Sequence, residues 1–157
     1  MKKVLLSLSL MALLSACGEG VYTVDAHFNF TNSSNKDGMV AVIGGRDAGP
    51  VLGPQSADQF DAPIQVSSPS SGTTSPSYQQ MSVSISVRAV DGSFISPPIS
   101  CLAGLRVVTS ITYVVYPPAQ TGYVYCQSSV SYQVVRNGMA TQMDSVVQRD
   151  SVGFRLR

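Results

Sequence analysis

Residues 81–89 read Met-Ser-Val-Ser-Ile-Ser-Val-Arg-Ala, and this stretch decides the fold class. Met81, Val83, Ile85, Val87 and Ala89 fall on one side of an extended chain; Ser82, Ser84, Ser86 and Arg88 fall on the other. Such alternation marks a strand with one dry and one wet face. A helix needs apolar residues every third or fourth position, and no segment beyond the first 20 residues keeps that period. Asp91-Gly92 turns the strand, a short strand over 93–96 follows, and Pro97-Pro98 stops regular pairing.

The same period extends in both directions. Tyr22, Val24, Ala26, Phe28 and Phe30 alternate with Thr23, Asp25, His27, Asn29 and Thr31. The polar run Asn32 to Gly38 reads as a turn, because its side chains bond their own backbone or tolerate positive φ. Met39–Ile43 is a short apolar strand, and Gly44 to Pro50 reads as a loop. Residues 59–66 form a weak strand that Pro63 confines to an edge. Serine, threonine, proline and glycine dominate residues 67–77, an exposed loop that cannot pack a core. Residues 105–116 are apolar on both faces and read as a central strand; 117–122 is a loop and 123–136 another long strand. Asn137-Gly138 is the strongest short hairpin signal, since both residues accept the φ of a type I′ turn. Residues 139–148 return antiparallel, and 151–156 add a last strand. Seven to nine short strands without helices predict an antiparallel β-sandwich, immunoglobulin-like or transthyretin-like, with a small closed barrel as the alternative.

The chain opens differently. Lys2 and Lys3 precede an apolar run, Val4 to Leu14, which ends in Leu14-Ser15-Ala16-Cys17. A basic end, a short apolar run and small residues form a secretory signal. A run this short falls well below the ~20 residues of a membrane-spanning helix. The last four residues resemble the bacterial lipobox, in which the signal is cut before the cysteine and that cysteine takes the lipid. The resemblance implies residues 1–16 as signal, 17–20 as lipidated cysteine and tether, and 21–157 as one domain. It also implies two or three acyl chains, palmitate among them, on Cys17. The residue after the cysteine is Gly18, not the aspartate that commonly retains such proteins in the inner membrane, so the outer membrane is expected. Only Gly18, Glu19 and Gly20 separate Cys17 from Val21, which predicts a domain held against the lipid, with a protein partner close by.

If Cys17 carries lipid, Cys101 and Cys126 remain as an even pair in an oxidising compartment, and a disulfide is expected. A metal site is disfavoured: His27 is the single histidine, and no Cys-x-x-Cys spacing occurs. The pair is similar to immunoglobulin inter-sheet disulfides, although the chain has no tryptophan and the two cysteines are closer in sequence than that arrangement requires. Without Lys2 and Lys3, 8 basic residues face 9 acidic ones. No basic stripe exists for nucleic acid.

Chemistry is sparsely provided for. His27 shares a strand face with Asp25, but no serine sits in a nucleophile elbow. The only glutamate is Glu19, and the eight aspartates mostly fall in turns, so no carboxylate pair for glycoside hydrolysis is expected. Gly44 to Gly49 is rich in glycine after a strand but lacks the lysine and helix of a phosphate loop. The chain is therefore expected to be no enzyme and to need no cofactor. Binding is better supplied. Tyr113, Tyr116, Tyr123, Tyr125 and Tyr132 cluster in sequence, and a hairpin would bring Tyr116 and Tyr123 near its tip as a candidate binding surface. Tyr123-Val124-Tyr125-Cys126 with Val130-Ser131-Tyr132 resembles the Tyr-x-Cys and Val-x-Tyr pattern of membrane-bound lysozyme-inhibitor lipoproteins, at a different spacing. That resemblance implies an alternative role: inhibitor or accessory factor of a hydrolase or secretion component, acting through the 67–77 or 117–122 loops.

Overall fold

The computed structural model describes residues 21–67, 80–116 and 120–156. They form nine strands: β1 (Val21–Ser33), β2 (Met39–Ile43), β3 (Arg46–Leu52), β4 (Ser56–Ser67), β5 (Gln80–Ala89), β6 (Ile99–Gly104), β7 (Val107–Tyr116), β8 (Thr121–Arg136) and β9 (Met139–Arg155). One sheet runs β4-β1-β7-β8-β9 and the other β3-β2-β5-β6. The sheets pack face to face as a sandwich and do not close into a barrel. Pairing is antiparallel except between β1 and β7, which run parallel. A parallel pair needs a long crossover. Here everything from β2 to β6 supplies it, so local alternation could not reveal it.

The alternating residues behave as their pattern dictates. Val83, Ile85, Val87 and Ala89 enter the core beside Phe28, Phe30, Met39, Ile111 and Val124. Two aromatic groups fill the space between the sheets. Phe28 stacks on Phe60 with ring centroids 5.4 Å apart. Phe94, Tyr113 and Phe154 form a second group at 4.8–6.1 Å. Pro63 lies on β4, at the sheet edge where a missing N–H is harmless. β7 is the middle strand of its sheet.

Several boundaries differ from the sequence reading. Gly44-Gly45, both at positive φ, compress the expected loop into a tight turn, so Arg46–Leu52 becomes β3. Residues 93–96 make one isolated bridge, Arg88 with Ile95, and no strand. The chain past Pro97-Pro98 forms β6 instead. The two strands expected over 139–156 are one, with a bulge opposite Ser128–Ser129. Asn32 is no exposed turn residue. It is fully buried; its Nδ2 donates to the carbonyls of Lys36 and Gly53 (2.8 and 2.7 Å), and its Oδ1 accepts from Ser34. Most of the 67–77 loop, and Pro117 to Ala119 of the 117–122 loop, lie outside the described residues.

β6 lies at the end of its sheet, and side chains of the opposite sheet satisfy its free edge. Thr109 and Ser128 donate to the Leu102 carbonyl, Gln148 donates to the Ser100 carbonyl (3.1 Å), and Asp150 accepts from the Ser100 N–H (3.2 Å). Unpaired edges invite association with other chains; here the chain's own side chains occupy the edge at Ser100 and at the Leu102 carbonyl. The Cys101–Cys126 disulfide is formed at the same seam and joins β6 to β8.

Candidate functional site

The outward face of the five-stranded sheet carries the candidate surface. β7 and β8 pair as a hairpin with Tyr116 opposite Thr121, Val114 opposite Tyr123 and Thr112 opposite Tyr125. Alternation sends Tyr113 inward, to full burial, and leaves Tyr116, Tyr123 and Tyr125 outside. Tyr116 and Tyr123 meet edge to face with centroids 5.8 Å apart, as expected for the hairpin tip. Tyr123 stacks on Tyr125, also at 5.8 Å. The three rings form a ladder, with Tyr116 51% and Tyr125 37% exposed. Tyr132 belongs to β8, but its side chain is outside the described set.

One cross-strand glycine positions the ladder, and a second is covered on the opposite face. Tyr123 lies opposite Gly153, and Gly122 lies opposite Phe154. On the outer face the Tyr123 ring covers Gly153, where an added Cβ would stand 2.9 Å from the ring. On the inner face Phe154 covers Gly122 in the same way. Aromatic cover of a cross-strand glycine holds the ring down along the sheet.

Tyr125 also walls a shallow groove of about 700 Å³, with Ser110, Thr112, Gln127, Arg149 and Ser151 among its lining residues. Partial burial, then the hydroxyl of Tyr116 and the charge of Tyr116 and Tyr123 nearby, raises the Tyr125 pKa above the ordinary tyrosine value. The Tyr125 phenol is therefore a neutral donor and acceptor at physiological pH. Tyr125, named in the sequence cluster but not in the Tyr116–Tyr123 pair at the tip, joins that pair here, and Gln127 and Arg149 were not anticipated. The period-two spacing of Tyr123, Tyr125 and Gln127 was an available signal; Arg149 arrives only through pairing with β9.

The remaining candidates separate. The His27 Nδ1 lies 2.7 Å from an Asp61 carboxylate oxygen, on the cross-strand position of β4, and Asp25 is not its partner. Asn29, one step along the same face, donates to the Ser110 hydroxyl at 3.3 Å. Among the described residues no group of three histidine, cysteine or acidic side chains could hold a metal. Arg88 on β5 makes a two-pronged ion pair with Asp47 on β3, crossing β2; its hydrogen bonds lower the Asp47 pKa. Cys17 lies outside the described residues. No family model, curated protein or solved structure matches this chain.

Proposed function

We propose that this chain is a lipid-anchored, non-enzymatic binding module of the bacterial envelope, held at the outer membrane by Cys17, which engages a protein partner through the outer face of its five-stranded sheet. The observation that carries the reading is the Tyr116–Tyr123–Tyr125 ladder beside the Tyr125 groove. Tyrosines offer a large contact area at low entropy cost, with a hydroxyl at the wet end. Gln127, Arg149 and Ser151 supply polar groups at the rim. The non-enzymatic part rests on the single histidine, which is hydrogen-bonded to Asp61 on the sheet surface.

A photo-crosslinking amino acid placed at position 125 in living cells tests the reading. A discrete adduct at 125, absent from the same probe at Val51 and reduced by Tyr123→Ala, is the expected result. An adduct pattern identical at both positions overturns it.

A further inference from the structure

Strand register sets the two ends of the domain. His27 on β1 lies opposite Val108 on β7, which lies opposite Ser129 on β8, so these three share one height across the sheet. From that height β1 runs back to Val21, paired with β4 as far as Ser67. β8 runs on to Arg136, and past Val130 it is paired only with β9. β7 begins at Val107 and follows neither. At about 3.3 Å per residue, the β1 prong projects about 17 Å and the β8 prong about 20 Å past the start of β7, toward the same side. In the plane of the sheet they are about two strand spacings, or 10 Å, apart.

The β8–β9 prong ends in apolar residues set in water. Residues 135–141 are all exposed, with Val135 at 66% and Met139 at 73%. Val135 pairs with Ala140 and Arg136 with Met139, so each face of the ribbon carries an apolar side chain beside the Asn137-Gly138 turn. Exposed Leu105 and Arg106 stand between the prongs, in the turn before β7. Four peptide links join Cys17 to the end of the other prong, a reach of at most about 14 Å. An acylated Cys17 therefore brings the bilayer to the end of the domain that carries this tip.

We infer that the β8–β9 tip is a second membrane contact, with Val135 and Met139 seated in the headgroup–acyl boundary of the leaflet that holds Cys17. This rests on the acylation of Cys17 proposed above. Arg106 and Arg136 make no ion pair among the described residues and face the lipid phosphates. Asp25 belongs to the β1 prong and offsets part of this charge, so apolar insertion supplies the attraction. One acyl anchor leaves a domain free to swing; a second contact about 10 Å away fixes its tilt. The tyrosine ladder, about 10–14 residues further along the sheet, then stands about 30–45 Å from the membrane.

The chain contains no tryptophan, so Met139→Trp supplies a single reporter. The acylated variant, purified from bacterial membranes, is reconstituted into phosphatidylethanolamine–phosphatidylglycerol vesicles. The comparison is Val51→Trp, whose reporter sits on β3 beside Gly53, near Asn32 at the other end of β1. Blue-shifted emission and about twofold or greater quenching by brominated lipid at 139, with neither at 51, is the expected outcome. Val135→Trp repeats the test from the other face of the ribbon. Water-like, unquenched emission from 139 and 135 in protein that floats with the vesicles overturns the second contact and leaves acylation standing. Protein that does not float, with an unmodified Cys17 by mass, overturns both.

Discussion

Thr109 and Ser128, directly opposite on β7 and β8, donate their hydroxyls to one acceptor, the Leu102 carbonyl of β6, at 2.7 and 2.6 Å. All three residues lie at the seam where one sheet meets the edge of the other. Either hydroxyl alone satisfies the carbonyl; losing both leaves it without a partner. Thr109→Val and Ser128→Ala should each cost about 0.5–1.5 kcal/mol, and the double variant more than their sum. Urea unfolding of the four proteins measures the excess, and strict additivity would show that the carbonyl does not depend on the pair.

The disulfide crosses the same seam. Cys101 and Cys126 are 25 positions apart, and closing a loop of that length contributes about 3.5 kcal/mol in the chain-entropy model. Replacing both by alanine should lower the unfolding free energy by about that amount while the sandwich persists, because the Leu102 and Ser100 hydrogen bonds remain. Far-ultraviolet circular dichroism together with denaturant melts checks both halves.

The Tyr113 hydroxyl is buried without a hydrogen-bond partner among the described residues. Its ring packs against Phe94 and Phe154. Tyr113→Phe keeps the ring and removes the unpaired group, so stability should stay level or rise by about 1 kcal/mol. Burial raises the Tyr113 pKa above its ordinary value of 10.0. The folded state therefore holds this proton more tightly than the unfolded one. The resulting stabilisation is complete below pH 10 and is lost as pH climbs through the raised value. Melting temperature should fall above pH 10 in the wild type, and less steeply in Tyr113→Phe.

The two covered glycines should respond in opposite ways. Gly122→Ala drives a Cβ into Phe154, which Phe94 and Tyr113 hold in place, and should cost about 1–3 kcal/mol. Gly153→Ala meets the Tyr123 ring, which can swing into solvent. It should leave stability within about 0.5 kcal/mol of wild type, as surface changes do, yet disturb the ladder and weaken the adduct formed from position 125. Equal losses of stability in both would contradict this division between inner and outer face.

How much of this was legible beforehand follows from which interactions are local. Alternation over 81–89 and in β1 announced strands, because a side chain's face depends only on its position in its own strand. Asn137-Gly138 announced its hairpin for the same reason; both residues sit at positive φ. Pro63 announced an edge. Asn32 misled, since a residue suited to an exposed turn was recruited to satisfy backbone carbonyls inside the molecule. β6 was missed because the prolines before it and the short run after them give no clear period. Its edge is completed by residues from β7, β8 and β9.

By itself, then, the sequence determined an all-β chain, the strand faces, the pairing of Cys101 with Cys126, and the nearness of Tyr116 to Tyr123. Only the tertiary structure decided that β1 lies parallel to β7, that Arg149 joins the groove beside Tyr125, and that Val21 and the Asn137-Gly138 turn project from the same end. Period-two patterning is written residue by residue, whereas register between distant strands depends on the packing of the whole sandwich.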